Sequence, residues 1–367
     1  MRMNKNTAVS NSSALLRWLC LLMLSTFAIQ ADAQNESEKA DRIGAILGMK
    51  FLVLDDETGQ PLPEVQISVE CLTPGSQGFG KKRQAFVTDQ DGKAAVEMTG
   101  VFPAGTIAIQ KDGWYDFHAD FSGVLSRIPD HAKPRDVEPS PRIPHNDRVR
   151  DGRWRPYGEM HTIRLRRKVC PAAMVSCVIN AYHLVGKEFG VDFMEGALCA
   201  PYSYGKHADL LIRIEQGENE RENPRRPGHQ VKTRWFTYTM RCPGEHDGIC
   251  RLNGLAGSIL LSTRAVPADA PFSRELVFRE ERGGGEQIRD WLQDDQWILV
   301  RSRTEVDDQG EIVCANYAKI YPDFFTVCNG GIEFRYYFNP EPNDIGLEFA
   351  PELNLKIDER SAYFKLR

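Results

Sequence analysis

The chain has 367 residues, with 46 Lys and Arg against 51 Asp and Glu and a formal net charge of −5. Its 26 % charged and 41 % hydrophobic residues match an average globular protein, which excludes disordered, collagen-like and coiled-coil chains. The 30 Gly and 21 Pro residues favour strands and turns over long helices.

The N-terminus has the pattern of a cleaved secretory signal. Basic residues precede an apolar run from Trp18 to Ile29, and Ala31-Asp32-Ala33 fits a small-x-small cleavage site. An uncleaved membrane anchor is the alternative, but about twelve apolar residues are too few to span a bilayer stably. We therefore predict a signal peptide over 1–33, a secreted or periplasmic location and no transmembrane segment in the mature chain.

Charge and cysteine content agree with export. Removal of 1–33 leaves 43 basic and 50 acidic residues, which argues against a nucleic-acid partner because such proteins need a basic surface. Eight of the nine cysteines remain, and an even number in an exported chain predicts disulfides. We expect local pairs between Cys242 and Cys250, which bracket a turning loop, and between Cys314 and Cys328; other pairings stay open. The sequence contains no Cys-x-x-Cys or His-x₃-His spacing, so no metal site is predicted.

A polar leader is predicted over 34–46, and short strands separated by turns follow. Lys50–Leu54 and Val65–Val69 have strand patterns, and the Asp and Gly residues of 55–63 are typical of a turn whose side chains bond their own backbone. Phe86–Thr88 and Ala94–Met98 flank the turn Asp89-Gln90-Asp91-Gly92, which predicts a hairpin.

This order of motifs resembles the carboxypeptidase regulatory-like (transthyretin-like) β-sandwich over roughly 47–118. The residues that carry the resemblance are Asp55–Leu62, Thr88–Gly92, Pro103–Thr106 and Lys111–Trp114. It implies a small non-catalytic domain that acts as a spacer or a binding module. We expect this domain over 47–168, with His161–Arg166 as its last strand.

A proline-rich, basic segment at 119–158 departs from that pattern, and we interpret it as an insertion. Twelve basic and six acidic residues lie between Arg127 and Lys168. A docking strip for an anionic partner is one interpretation, and a solvated loop is the other.

The remainder, 169–367, is also predicted to be rich in strands. Trp297–Arg303 and Ile312–Tyr317 flank an Asp-rich turn and predict a hairpin, whereas Ile288, Trp291 and Leu292 have helical spacing within Glu286–Gln293. Three further motifs resemble the C-terminal region of an uncharacterised secreted bacterial protein family that joins it to a regulatory-like sandwich: Tyr204–Leu211, Tyr317–Phe324 and Tyr336–Asp344. The resemblance covers most of 47–355 and transfers no activity.

The predicted fold class is therefore mostly β, with a transthyretin-like β-sandwich and a larger antiparallel β domain. Candidate ligand-contacting residues are few. His207 and Asp209 share one face if they lie in a strand, where they could hold a proton or a metal; a pair at a strand start facing solvent is the alternative. Trp235 and Tyr238 could stack on sugar rings, or they could fill the core.

No nucleophile elbow, zinc-protease, phosphate-loop or dinucleotide motif is present, so no catalytic residue and no cofactor are predicted. We expect a non-enzymatic binding or structural module at the cell surface, with an extracellular polysaccharide or an envelope protein as partner. The alternatives are a glycan hydrolase whose carboxylate pair is distant in sequence, and a component of an envelope protein assembly.

Overall fold

The protein is described by a computed structural model that covers residues 39–40, 43–75, 78–120, 149–155, 157–223, 226–283, 286–290, 292–293, 295–321 and 331–355. It divides into two compact units, with the boundary between Arg167 and Lys168. Strands predominate in both units, so the fold is mostly β, as predicted. Within these ranges no helix is long and apolar enough to cross a membrane. The predicted signal peptide, 1–33, lies outside the described residues.

In the first unit, the described strands form one eight-stranded sheet with the order β3-β2-β4-β1-β7-β6, in which β5 also pairs with β4 and β8 with β1. The strands β7 and β8 are parallel to β1, and the other pairs are antiparallel. The strand bounds are β1 Ala45–Asp55, β2 Gln66–Gly75, β3 Gly78–Val87, β4 Lys93–Gln110, β5 Phe117–Asp120, β6 Val149–Arg150, β7 Arg153–Trp154 and β8 Glu159–Leu165.

The long strand β4 connects the two parts of this sheet. Its first half pairs with β1 up to Gly100, and its second half pairs with β2 from Val101 onward. Val96 from the first half and Ile107 from the second belong to one buried cluster. Both halves of β4 therefore contribute to a common core, the arrangement expected of a sandwich.

The Asp-rich turns form, but the hairpin predicted around Asp89 is wrong. Oδ1 of Asp89 accepts the backbone N–H groups of Asp91 at 3.0 Å and Lys93 at 2.8 Å. The strand before this turn, β3, pairs along its whole length with β2 rather than with β4. The turn is therefore set by local side-chain chemistry, whereas the pairing partner is set by the longer ladder available from β2.

Two segments predicted as a leader and an insertion contain strand residues at their ends. β1 begins at Ala45, inside 34–46, while β5, β6 and β7 take up parts of 119–158. Trp154 is buried, and its Nε1 donates to the carbonyl of Gly100 at 2.8 Å, which fixes the end of the insertion to the core. Residues 121–148 lie outside the described ranges.

The described strands of the second unit form two antiparallel sheets, one with the order β11-β10-β12-β13-β15-β16 and the other with the order β14-β17-β18-β19-β9. A short 3-10 turn, Pro351–Leu353, follows. The strand bounds are β9 Val175–Ala181, β10 Glu188–Asp192, β11 Ala197–Leu198, β12 Leu210–Asn223, β13 Arg226–Arg241, β14 Gly248–Asn253, β15 Glu275–Gly283, β16 Glu286–Asp290, β17 Gln296–Val306, β18 Ile312–Ile320 and β19 Ile332–Asn339.

The main core of this unit lies between the two sheets. It joins Phe236 and Phe278 of the six-stranded sheet to Val300 and Phe334 of the five-stranded sheet. Burial of one such side chain contributes about 1.5–3 kcal/mol. A second cluster, containing Trp297 and Leu299, covers the opposite side of β17. The apolar run in β17 is continuous because both of its faces are buried.

The pairing predictions for this unit are mixed. The hairpin of β17 and β18 is confirmed. The helix predicted over Glu286–Gln293 is wrong, because Glu286–Asp290 form β16, which pairs with β15. A helical spacing of only three apolar residues does not outweigh a strand partner, β15, that ends three residues upstream of β16.

A buried lysine completes the second cluster. Lys319 is fully buried, and its Nζ donates to Ser262 Oγ at 3.1 Å and to the carbonyl of Leu347. The ammonium also lies 4.8 Å from the ring centroid of Tyr321 and 5.2 Å from that of Tyr337. These hydrogen bonds and cation–π contacts offset the loss of hydration that burial of a charge entails.

Candidate functional site

The second unit departs from regular sheet geometry near the end of β17. The pairing of β17 with β18 shifts in register between Ser302 and Glu305. Within this bulge Arg303 has a φ of 54°, in the left-handed region that residues other than Gly seldom adopt. Such backbone strain costs on the order of 1–3 kcal/mol and persists only where the surroundings determine it. The bulge is therefore where the local geometry points to a specialised site.

Two buried aspartates hold the side chain of Arg303. Its Nε donates to Asp209 Oδ1 at 2.8 Å, and its Nη2 donates to Asp209 Oδ2 at 3.0 Å and to Asp192 Oδ1 at 3.5 Å. The Asp209 side chain is 0 % exposed and that of Asp192 is 2 % exposed. The hydrogen bond to Asp209 raises the pKa of Arg303. Charges this deep need such partners, because an isolated buried ion is strongly unfavourable.

Asp192 also organises the loop that follows β10. Its two carboxylate oxygens accept four backbone N–H groups at 2.8 to 3.0 Å, those of Met194, Glu195, Lys206 and His207. Burial by itself raises the pKa of Asp192, but the backbone amides and Arg303 outweigh burial, and the pKa lies below its ordinary value. Asp192 therefore stays ionised at neutral pH, with both oxygens occupied.

The predicted pair of His207 and Asp209 is only loosely associated. β12 begins at Leu210, so both residues lie in the preceding loop rather than on one strand face. His207 Nε2 is 3.9 Å from Asp209 Oδ1, and the His207 side chain is 56 % exposed. Besides Arg303, Asp209 accepts the backbone N–H of Phe193 at 2.8 Å. His207 thus lies beside the Asp209 carboxylate, whose oxygens already accept hydrogen bonds from Arg303 and Phe193.

An open cleft of about 380 Å³, which we call the bulge cleft, lies beside these residues. The β13–β14 loop, the segment before β15 and the β17–β18 hairpin contribute its walls. Its volume falls within the range of small-ligand pockets, about 300–1,000 Å³. The lining residues are Glu245, His246, Asp247, Phe272, Ser273, Arg274, Arg301, Gly310 and Ile312.

Arg301 uses only part of its hydrogen-bonding capacity. Its guanidinium carbon lies 4.5 Å from the ring centroid of Phe272, and its Nη2 donates to the carbonyl of His246 at 3.0 Å. Its Nε is shielded from solvent, and no described residue accepts the hydrogen of this atom; the same holds for the buried hydroxyls of Ser302 and Thr304. An unpaired buried polar group costs about 1–3 kcal/mol. The bulge therefore concentrates unused polar groups next to an open cleft.

The carboxylate of Asp247 is bound to backbone rather than to either cleft arginine. Its Oδ2 accepts the N–H of Gly244 at 3.0 Å, and its Oδ1 accepts the N–H of Thr304 at 2.9 Å, which ties the β13–β14 loop to the bulge. Arg274 is exposed. No carboxylate of a described residue lies within 4.0 Å of the guanidinium groups of Arg274 and Arg301. Both cations thus line the cleft without an ion-pair partner in the described part of the chain.

The predicted disulfide between Cys242 and Cys250 is not formed, and both residues are buried free thiols. Cys242 packs with Ile249 in the core between the sheets, whereas Cys250 belongs to the cluster on the opposite side. Consecutive strand residues point to opposite faces, so the loop turns back without bringing the two sulfur atoms together. Burial raises the pKa of Cys242 to about 12 and that of Cys250 to about 11.

Every other described cysteine is also a free thiol. Cys314 is half-buried. Its predicted partner, Cys328, lies outside the described residues, so that pairing stays a prediction.

The two aromatic candidates lie on opposite faces of β13. Tyr238 is fully buried in the core, so it does not reach a ligand at the surface. Trp235 is half-buried and pairs with Gly217 on one side and Glu281 on the other. A Cβ atom at Gly217 would approach the indole to 2.5 Å, so the absence of a side chain there makes room for the ring. Of the two, only Trp235 is partly exposed.

No motif marks Asp192, Asp247, Arg301 or Arg303 as site residues. The polar run 301–304 carried a signal, since it interrupts a strand whose preceding four residues are all apolar. Polar side chains at the end of a doubly buried strand indicate a bulge, an ion pair or a ligand.

No protein-family model and no curated protein matches the chain, so the regulatory-like resemblance lacks that support. Among solved structures, an intradiol ring-cleavage dioxygenase from Tetranychus urticae is 16 % identical with a TM-score of 0.21, covering 34 % of this chain and 83 % of that one. A DUF3823 family protein from Parabacteroides merdae is 8 % identical with a TM-score of 0.18, covering 71 % of this chain and 91 % of that one. Similarities at this level carry no argument about activity.

Proposed function

We propose that this chain is an exported binding module without enzymatic activity, which recognises an extracellular polymer through the bulge cleft. One observation carries the proposal: around β17 the buried carboxylates are fully engaged, while two arginines line an open cleft. The signal-like pattern of 1–33 supports an extracellular or periplasmic setting.

The occupied carboxylates weigh against the hydrolase alternative. A glycosidase needs two carboxyl groups about 5–10 Å apart across the scissile bond, one to donate a proton and one to act as base or nucleophile. Both oxygens of Asp192, Asp209 and Asp247 accept hydrogen bonds from backbone or from Arg303. Glu245 lines the cleft with no hydrogen bond to a described residue, but a single carboxylate does not meet the requirement.

The composition of the cleft supports binding. It combines an aromatic ring, Phe272, with exposed aliphatic surface from Ile312 and with two guanidinium groups. Six of the nine lining residues are polar or charged, so the cleft is a mainly polar site with a small apolar surface beside it. Because the cleft is open, a polymer chain can extend beyond the unit that it holds.

The test is a pull-down of the exported chain, residues 34–367, against neutral and acidic polysaccharides, with product release measured in the same tubes. Binding without products is expected. Release of products would overturn the non-enzymatic assignment and direct mutagenesis to Glu245. Failure to bind every polymer would overturn the polymer ligand and favour a protein partner in an envelope assembly.

Variants locate the binding surface. Arg301→Ala should weaken capture about tenfold or more, whereas Arg279→Ala, which removes an exposed arginine from β15, should not weaken it. Trp235→Ala tests the alternative binding surface, which is the outer face of β13. Loss of capture in Trp235→Ala but not in Arg301→Ala would place the binding surface on the sheet and refute the cleft.

A further inference from the structure

We propose that the bulge cleft binds a carboxylate-bearing sugar unit, with the carboxylate held between Arg301 and Arg274 and the sugar ring against Phe272 and Ile312. This inference rests on the proposed function and adds the chemical class of the ligand.

Arg301 is fixed in position and keeps unused N–H donors. Its hydrogen bond to His246 and its contact with the Phe272 ring fix the guanidinium in place. Its Nε is buried and is not accessible to a ligand from solvent. The N–H groups of Nη1 and the second N–H of Nη2 have no acceptor among the described residues, so they are the donors left for a ligand. A planar guanidinium held in this way is prepared for a carboxylate, which accepts two parallel N–H donors at once.

A second cation, Arg274, lines the same cleft. The charges of Arg301 and Arg274 both act on the thiol of Cys242, where each opposes the rise in pKa caused by burial. Arg301 and Arg274 also both line the bulge cleft, which brings the two side chains to the same opening. The hydrogen bonds of Asp247 go to Gly244 and Thr304, so that carboxylate does not occupy either arginine.

Apolar side chains lie beside the two cations in the cleft. Phe272 is half-buried and Ile312 is 43 % exposed, and both line the cleft. An inorganic anion would gain nothing from this surface. A sugar ring presents C–H groups on its face, which pack against Ile312 and the part of the Phe272 ring that Arg301 does not cover, while the carboxylate at its edge reaches the arginines. The combination therefore favours an acidic sugar over a free inorganic anion or a neutral sugar.

The experiment compares polygalacturonate with its methyl ester by affinity electrophoresis and, for short oligomers of each, by isothermal titration calorimetry. The ester keeps the ring and removes the charge. We expect binding of the acid form to be at least about tenfold tighter, the effect of losing a charge-assisted hydrogen bond, and to weaken as salt is added. Equal affinity for acid and ester would overturn the inference while leaving the proposed function intact.

Three variants assign the contacts. Arg274→Ala is the main one, because this side chain is exposed and makes no hydrogen bond or ion pair with a described residue, so we expect the fold to tolerate its removal. Arg301→Ala is the second variant, and Arg279→Ala is the matched control. The first two should each weaken binding of the acid about tenfold or more and abolish the preference over the ester. Arg279→Ala should bind like the unmodified chain. Unchanged affinity in Arg274→Ala and Arg301→Ala would overturn the assignment.

Two further probes show which feature of the anionic polymer is recognised. A sulfated neutral polymer that binds as tightly as polygalacturonate would show that charge alone is recognised, and would refute the carboxylate. Free galacturonate that competes at the same concentration of sugar units as the polymer would show that the cleft recognises one unit and not a chain. Absence of binding to all these probes, together with absence of binding to neutral polymers, is the result that removes the proposed function itself.

Discussion

Arg301 and Arg303 lie two residues apart on β17, yet their surroundings differ sharply. Arg303 donates three hydrogen bonds to two aspartates that are almost completely buried. Arg301 donates one hydrogen bond to a backbone carbonyl and has a buried Nε without an acceptor in the described part of the chain. The side chain of Arg303 is therefore held by hydrogen bonds within the protein, whereas Arg301 keeps unused N–H donors.

The difference teaches which charged residues of this unit are candidates for function. A group whose hydrogen bonds are all made within the fold contributes to stability and has little left for a ligand. A group that is fixed in position but keeps unused donors beside an open cleft can bind one. The bulge brings both kinds together, and single substitutions can test them separately.

The largest expected effect comes from Arg303→Ala. The substitution leaves Asp209 and Asp192 as buried carboxylates without their cation, and the loss of one partner of a buried ion pair typically costs about 3–5 kcal/mol. Urea unfolding followed by circular dichroism measures this loss. Arg279→Ala, an exposed arginine on β15, should change stability by less than about 0.5 kcal/mol.

Arg303→Gly distinguishes the ion pair from the backbone strain. Glycine tolerates the φ of 54° at this position, so it relieves strain while it removes the same guanidinium. Arg303→Gly should therefore recover about 1 kcal/mol relative to Arg303→Ala. Stability equal to that of the unmodified chain would show that the buried carboxylates do not need Arg303.

The second-largest expected effect concerns the loss of stability in acid that originates at Asp192. The pKa of this group is lower in the folded protein than the unfolded value of about 3.9. The contribution of ionised Asp192 to the free energy of unfolding is therefore complete above about pH 5 and is lost as the pH falls through the folded pKa. Asp192→Asn should cost about 1–3 kcal/mol at pH 7, because an amide cannot accept all four backbone N–H groups. It should also flatten the fall in stability between about pH 5 and 2.

Glu70 of the first unit is the matched comparison. The pKa of Glu70 is also lowered, first by its hydrogen bond to Lys81, but the Lys81 side chain is 71 % exposed. Exposed ion pairs contribute about 0–1 kcal/mol. If Glu70→Gln changed the pH dependence of the free energy of unfolding as much as Asp192→Asn does, burial would not explain the difference between the two carboxylates.

The sequence predicts local features well, because these depend on neighbouring residues. The turns at Asp89 and Asp307 form because each aspartate bonds backbone groups two and four residues further on. The mostly β character follows from short apolar runs separated by such turns. The helix predicted over Glu286–Gln293 failed because the neighbouring strand β15 determines its state.

The candidate site was largely beyond sequence reasoning for a physical reason. Arg303 meets Asp209 across 94 positions and Asp192 across 111 positions of the chain. Nothing local specifies which of many carboxylates an arginine will meet. The turning loop between Cys242 and Cys250 was predicted, but only the face alternation of β14 shows why the two sulfur atoms separate.

A third, smaller effect is expected for Arg301→Ala. The variant loses one hydrogen bond to His246 and the contact with Phe272, about 1–2 kcal/mol together. It also removes a buried donor without an acceptor, which offsets part of that loss. The net change in the free energy of unfolding should therefore be about 1 kcal/mol, well below that of Arg303→Ala. Equal losses in the two variants would remove the distinction between them.

The smallest change in stability is expected for Arg274→Ala, although its effect on binding should be large. The side chain is exposed and makes no hydrogen bond or ion pair with a described residue, so the free energy of unfolding should stay within about 0.5 kcal/mol. A residue that matters to a ligand but not to the fold shows this combination. Calorimetry with polygalacturonate and urea unfolding, both done on the same preparation, measure the two quantities. A stability loss near 2 kcal/mol would mean that Arg274 belongs with Arg303 as a structural cation, and that the cleft offers only Arg301 to an anion.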